Sequence, residues 1–273
     1  MTQPSIRIAA IADLHIRVNQ DLSPLEAALK DIQDDADVLL IAGDLTEMGR
    51  IPEMEQLAQV LARVTIPVFV TFGNHDRRSV RRSALTKLLK SVGVRVLDGT
   101  GAVVKLDEQR SLGIAGVTGT GGGFRPGAEE FGPGVRFTRA VMIKSRRESA
   151  RLRKVLTDVR AQDPNHLVVL THFTPTVSTL GNEPPLKYWM LGNALLGTTI
   201  DDFSPTLALH GHAHLGNEVG STEGNTPVRN VALPVTRGIR LLSLSSDGQI
   251  AVTGLRPIAG MLPEESVRES DLQ

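Results

Sequence analysis

The chain has 273 residues, 41% of them hydrophobic, and no run approaches the roughly 20 apolar residues that a membrane span needs. Its size suits one large domain, or one domain with a small appendage, and its composition fits a soluble globular protein. Lysine plus arginine and aspartate plus glutamate both number 30, so there is no net field to hold long duplex DNA non-specifically. The absence of cysteine excludes disulfides and thiolate metal sites, and an aromatic content of 3% leaves the core to Val, Leu, Ile and Ala.

Met1-Thr2-Gln3-Pro4 leads directly into an apolar strand at Ile6 to Ala12, with no basic region followed by a long apolar segment. A cytoplasmic protein is the expectation, with no membrane as a partner. The strand ends at Asp13-Leu14-His15. An amphipathic helix is expected over Pro24 to Gln33 with Ser23 as its N-cap. A second apolar strand, Val38 to Ala42, ends at Gly43-Asp44. A helix from about Pro52 to Arg63 and a third strand, Pro67 to Phe72, lead to Gly73-Asn74-His75-Asp76. This strand–helix alternation implies a parallel sheet with helices packed on it. Ligands gather beyond the carboxyl ends of such strands, which already brings the first three polar clusters together.

After a helix from about Ser83 to Ser91 the pattern shifts to short β-like pieces, Val94–Leu97, Ala102–Leu106 and Leu112–Val117. Gly119 to Gly134 is rich in glycine and is expected to be a mobile loop. Val141 to Ala161 reads as a long helix whose arginines, 146–153, form mostly a solvated face. Leu167–Leu170 is a buried strand delivering Thr171-His172, and Leu207–Leu209 delivers Gly211-His212-Ala213-His214. Strands near Val228–Leu233, Ile239–Leu244 and Ile250–Thr253 are expected to complete a second sheet. One domain is expected over residues 1–261, with a polar tail over 262–273.

Five polar clusters, each at the end of an apolar run, thus supply carboxylate, imidazole, carboxylate, amide and three further imidazoles. Nearly all are types that bind borderline divalent metals. Six of the seven histidines sit in these clusters or touch one. The order D-x-H, G-D, G-N-H-D, H and G-H-x-H resembles the calcineurin-like metallophosphoesterase superfamily. In motif pattern it is most similar to the bacterial cyclic-nucleotide phosphodiesterase-like branch, and the matching blocks run from residue 13 to 214.

The resemblance implies an α/β fold, a two-sheet α/β/β/α core with a dimetal site at the strand ends. It implies Asp44 as a ligand bridging two divalent metals, with Asp13, His15 and His214 completing one site and Asn74, His172 and His212 the other. Manganese is the leading candidate, with iron, zinc or a mixture as alternatives. Two divalent cations outweigh two carboxylates, so such a site attracts hydroxide and phosphate, and a bridging water is expected to attack phosphorus in line with its leaving group. His75 is implied as the substrate-facing catalytic group, with Asp76 orienting it and supporting its protonated form. The alternative for Asp76 is a cap on the following helix.

Other residues carry blander expectations. His166 is expected at the surface or a strand edge, and His210 as a buried support for the last cluster rather than a ligand. Arg77 and Arg78 fit either a phosphate clamp or a solvated helix entrance. Tyr188 and Trp189, the only Tyr and Trp of the chain, lie in Phe173–Leu191. With Phe124 they fit either contact with the organic part of a substrate or loop packing. The function so implied is a metal-dependent phosphodiesterase acting on a small or flexible phosphodiester, with nucleotides, cyclic ones included, as a candidate class. A DNA nuclease and a phosphomonoesterase are the enzymatic alternatives. Nucleic acid is the less favoured partner, because only about 60 residues follow His214 and several look like core strands. A non-catalytic scaffold is disfavoured by the complete set of implied ligands together with His75.

Overall fold

The computed structural model describes residues 5–124 and 135–261, with side chains from Arg139 onward in the second stretch. The expected tail lies outside these residues. Two six-stranded sheets face each other. In the first, β1 (Ile6–Ile11), β2 (Val38–Ala42), β3 (Val68–Thr71) and β4 (Arg95–Val96) run parallel. Two antiparallel strands, β11 (Gly238–Leu244) and β12 (Ile250–Pro257), extend that sheet beyond β1. In the second, β6 (Ser111–Val117), β7 (His166–Thr171), β8 (Leu207–His210) and β10 (Pro227–Asn230) are parallel, with β5 (Thr100–Lys105) and β9 (Val219–Ser221) as antiparallel edges.

Strand alternation sorts the apolar side chains into layers. Ala9, Ile11, Leu39, Ile41, Val68 and Val70 point to a core shared with the helices α1 (Ser23–Leu29), α2 (Ile51–Leu61) and α3 (Arg82–Ser91). Ile8, Ala10, Leu40, Phe69, Ile114, Val168, Leu170 and Leu209 fill the space between the sheets. Val117, Val169 and Ala208 meet Leu152, Leu156, Leu196 and Ile200 on the far side, on α4 (Val135–Arg160) and on α6 (Ala194–Asp201), which follows the single turn α5 (Tyr188–Leu191). The result is the expected α/β/β/α layering. Among the described residues no helix is long and apolar enough to cross a membrane.

Three expectations need correction. Ile239–Leu244 and the strand after it join the first sheet, not the second. Ile239 and Leu241 face the helix-side core while Leu242 and Leu244 face the inter-sheet core, and that two-sided apolar pattern suits a strand beside β1. The first helix ends at Leu29, because Lys30 is extended and Asp31 turns left-handed at φ 53°. Ser23 is its first helical residue rather than its N-cap, and Asp21 accepts from both the amide and the hydroxyl of Ser23 at 2.9 Å. The described part of the glycine-rich loop is packed rather than loose. Gly122 N–H donates to Trp189 O at 2.7 Å, Gly123 N–H to Gly192 O at 2.9 Å, and Ser145 Oγ to Gly121 O at 2.7 Å. Residues 125–134 of that loop lie outside the described residues.

The sheets converge at the carboxyl ends of their parallel strands. Ala12 N–H donates to Val231 O at 2.8 Å and Val231 N–H to His210 O at 2.8 Å. The segment leaving β10 therefore stitches β1 to β8.

Candidate dimetal site

All five clusters meet at this seam. Asp13 and His15 leave β1, Asp44 leaves β2, Asn74 and His75 leave β3, His172 leaves β7, and His212 and His214 follow β8. Four of these residues occupy the left-handed backbone region, at φ 60° for Asp13, 46° for His15, 48° for Asp44 and 70° for His212. Such conformations cost on the order of 1–3 kcal/mol each and persist where the surrounding structure holds them for a purpose. Two of the cluster glycines serve close approach rather than turning. A Cβ on Gly73 would stand 1.9 Å from Asp44 Oδ1, and one on Gly211 would stand 2.1 Å from Asp13 Oδ2.

The polar atoms converge in adjoining groups. Asp13, His15 and His214 form one, Asp44, His172 and His212 another, and His15, Asp44 and His75 a third between them, each with ligand atoms within 4.8 Å of one another. His214 Nε2 lies 2.9 Å from Asp13 Oδ1. Asp44 Oδ2 is faced by His172 Nε2 at 3.3 Å and His15 Nε2 at 3.7 Å. His172 Nε2 also meets Asn74 Oδ1 at 2.9 Å, while its Nδ1 lies 2.9 Å from Ala42 O. The N–H at Nδ1 donates to that carbonyl, so Nε2 is the nitrogen presented to Asp44 and Asn74.

The electrostatics call for cations. Both carboxylates are buried. Burial pushes their pKa values up, but His214 and His15 hold Asp13 well below the usual carboxylate range, and His172 brings Asp44 down to about 2. Burial lowers the His15 imidazole, yet the carboxylates of Asp13, Glu47 and Asp44 prevail and raise it to about 10. His172 is likewise depressed by burial and raised on balance, to about 9, chiefly by Asp44. Without metal, protons on His15 and His172 balance the carboxylates. The two ring nitrogens of His15 are buried with no hydrogen-bond partner, and Nε2 stands 3.7 Å from both Asp13 Oδ1 and Asp44 Oδ2. Three donors facing a common space at that separation suit a divalent cation of N/O preference, so the residues fit the metals that the sequence pattern implies.

His75 presents Nε2 to the same space, 3.9 Å from Asp44 Oδ2. Its Nδ1 is 2.7 Å from Glu47 O, to which it donates. Asp76, expected to orient this ring, does not: its carboxylate accepts from Thr46 Oγ1 at 2.6 Å and from the amides of Thr46, Gly73 and Leu45 at 2.9, 2.9 and 3.1 Å. It fastens the loop after β2 to the loop after β3. Burial and the neighbouring Asp44 push its carboxyl up to about 6.

The residue that sequence reasoning missed is Glu47. Its Oε2 lies 3.5 Å from His15 Nδ1 while its carbonyl holds His75, and the contact with His15 brings its own carboxyl down to about 2. The available signal was an acid three residues past Asp44 on a loop already marked by a cluster. His210 is buried as expected, between Gly211 O at 2.7 Å and Thr179 Oγ1 at 2.9 Å, with burial lowering it to about 4. His166 is buried at the start of β7 against Thr206 Oγ1, not at the surface. Of the aromatic candidates, Phe124 and Tyr188 pack half-buried on Leu180, Leu191 and Ala213. Trp189 is half-buried, and the next residue, Met190, places its carbonyl 3.4 Å from His212 Nε2.

Residues 6–216 match the calcineurin-like phosphoesterase family. The chain belongs to that family. A probable cyclic nucleotide phosphodiesterase of Ruthia magnifica subsp. Calyptogena magnifica is 40% identical over 73 residues, which is 24% of this chain and 31% of that relative. The likeness therefore spans about a third of that relative's length. Among solved structures, TT1561 of Thermus thermophilus superposes with a TM-score of 0.58 at 16% identity, covering 93% of this chain and 100% of that one. A putative 5'-nucleotidase from Staphylococcus aureus, in complex with alpha-ketoglutarate, gives 0.59 at 15% identity, covering 96% of this chain and 56% of that one. At these identities the structural matches establish the fold of this calcineurin-like phosphoesterase.

Proposed function

We propose that this phosphoesterase is a dinuclear-metal-dependent phosphodiesterase of small or flexible diesters, cyclic nucleotides being one candidate class. Asp44 would be the ligand common to both metals, with Asp13, His15 and His214 holding one and Asn74, His172 and His212 the other. The observation that carries this reading is the position of Asp44 Oδ2, between His15 Nε2 at 3.7 Å and His172 Nε2 at 3.3 Å. Manganese is the favoured ion, with iron, zinc or a mixture as alternatives, because oxygen and imidazole-nitrogen ligands do not choose sharply among them. When bound, the metals supply Lewis-acid stabilisation of phosphoryl charge and a water nucleophile active near neutral pH.

The chain's own residues do the rest. Asp13 orients the last cluster, accepting from the His212 amide at 2.9 Å as well as facing His214. Glu47 accepts the Nδ1 proton of His75 at its carbonyl, so in the neutral ring Nε2 carries the lone pair and is the nitrogen that exchanges protons. Burial holds this imidazole below its usual value, so Nε2 first takes a proton from the attacking water and then passes it to the leaving oxygen. Preference for diesters is supported by the short match to a probable cyclic nucleotide phosphodiesterase. A panel of cyclic nucleotides, linear aryl diesters, monoesters and single-stranded DNA, assayed on manganese-loaded protein, tests the reading. Diesters are expected to be cleaved fastest. Monoester cleavage exceeding diester cleavage, or DNA as the best substrate, overturns it.

A further inference from the structure

Arg77 and Arg78 are adjacent in sequence and opposite in fate. Arg77 is tied to the body of the protein, with Nη2 at 3.1 Å from Asp98 Oδ1 and Nη1 at 3.9 Å from Glu148 Oε1, and its side chain is 17% exposed. Arg78 turns to the site. Its amide donates to His75 O at 3.1 Å in the tight turn Asp76–Arg78, which sets position 78 over His75. Its Nη2 lies 3.3 Å from His75 Nε2 and its Nη1 3.7 Å from Met48 Sδ. Among the described residues no carboxylate forms an ion pair with it, whereas Arg17 beside the same site is 3.6 Å from Glu47.

We propose that Arg78 is a substrate-binding residue that holds a non-bridging phosphoryl oxygen of the ester. The proposal rests on the assignment of this seam as the phosphoesterase site. An exposed guanidinium has five N–H donors in a planar fork, and a single imidazole nitrogen and a thioether occupy few of them. A phosphoryl oxygen is a much stronger partner, because a charge-assisted bond replaces contacts with neutral acceptors. His75 Nε2 stands between Arg78 Nη2 and Asp44 Oδ2, at 3.3 and 3.9 Å. A phosphate lying over Asp44 is therefore one imidazole away from the guanidinium. As Arg78 moves its donors to that oxygen, His75 Nε2 is released to face the leaving group. The chemical class recognised is a phosphate ester anion, and a product monoester, with two negative charges, gains more from Arg78 than a diester with one.

Titration calorimetry of manganese-loaded full-length protein with orthophosphate tests this, using wild type, Arg78→Met and Arg78→Lys. Arg78→Met should raise the Kd for orthophosphate by roughly tenfold to a hundredfold, the worth of a charged hydrogen bond. Metal content and Tm should stay as in wild type, and Arg78→Lys should recover part of the binding. With an aryl diester, KM should rise more than kcat falls. An orthophosphate Kd within twofold of wild type overturns the proposal, leaving Arg78 a solvated entrance to the turn. An equal loss in both variants with lowered Tm overturns it in favour of a structural role. A protein that cleaves no diester yet loses orthophosphate in Arg78→Met would refute the diesterase reading and uphold this one.

Discussion

His172 donates from Nδ1 to the carbonyl of Ala42 at 2.9 Å, across the seam between the two sheets. That bond fixes the tautomer and aims Nε2 at Asp44 and Asn74, so the end of β2 orients the imidazole that follows β7, and the turn after β2 carries the proposed ligand Asp44. His172→Ala should therefore lose one metal and keep the other, because Asp13, His15 and His214 form their own group on the opposite side of Asp44. Metal analysis of the purified variant checks this, with one equivalent expected. Loss of both ions would mean that the two sites fill only together.

Glu47 supports two histidines at once, its carboxylate facing His15 Nδ1 and its carbonyl holding His75 Nδ1. Glu47→Gln keeps the carbonyl and removes the charge. Metal affinity should fall by roughly ten- to a hundredfold, the usual cost of losing a partner of a ligating histidine. Competition with a chelator measures the affinity. An unchanged affinity would reduce Glu47 to a surface partner of Arg17.

The metal-free protein should have a stability optimum in pH near the ordinary histidine value. His15 and His172 are raised, to about 10 and about 9, so their contribution is complete below about 6.5 and disappears as pH climbs through 9 to 10. His210 and His212 are depressed by burial, to about 4 and about 3, so their contribution is complete above about 6.5 and disappears as pH falls toward those values. Tm of the metal-free protein should accordingly decline on both sides of pH 6–7. Loading metal at pH 7.5 should release a proton from His15 and another from His172, read as buffer-dependent heats in calorimetry. A metal-free Tm that rises steadily to pH 10 would contradict the charge balance of the site.

Asn193 couples the two loops beside the site. Its Oδ1 caps α6 by accepting from Leu196 N at 3.0 Å, and its Nδ2 donates to Thr120 O at 2.6 Å. Asn193→Ala should cost about 1–3 kcal/mol, combining a lost cap with an unsatisfied buried carbonyl. Urea unfolding measures the loss. A cost under about 0.5 kcal/mol, the ordinary surface range, would show that the loops are held by other bonds.

Much of this arrangement was legible because each cluster ends an apolar run. Ile6–Ile11, Val38–Ala42 and His166–Thr171 are buried throughout or nearly so, and parallel strands collect their exits on one side. The order of strands was less legible. Gly238–Leu244 is apolar on both faces, which says that it is covered twice but not which strand lies beside it. Helix α6 was missed because eight residues carry too few turns for a clear period, although Asn193 is a good N-cap. Glu47 takes the role expected of Asp76, holding the His75 ring, for a local reason. The turn at Asp76–Arg78 directs the Asp76 carboxylate back to the amides of Leu45 and Thr46, and leaves the carbonyl of Glu47 beside the His75 ring.

In the proposed site Asp44 joins two metals. Metal content by mass spectrometry of wild type and Asp44→Ala, each purified, stripped and reloaded with manganese, tests it most directly. The bridging assignment predicts about two equivalents in wild type and a loss at both positions in the variant, with a far-UV spectrum unchanged. Two ions held normally by Asp44→Ala, or a single ion in fully loaded wild type, would contradict it.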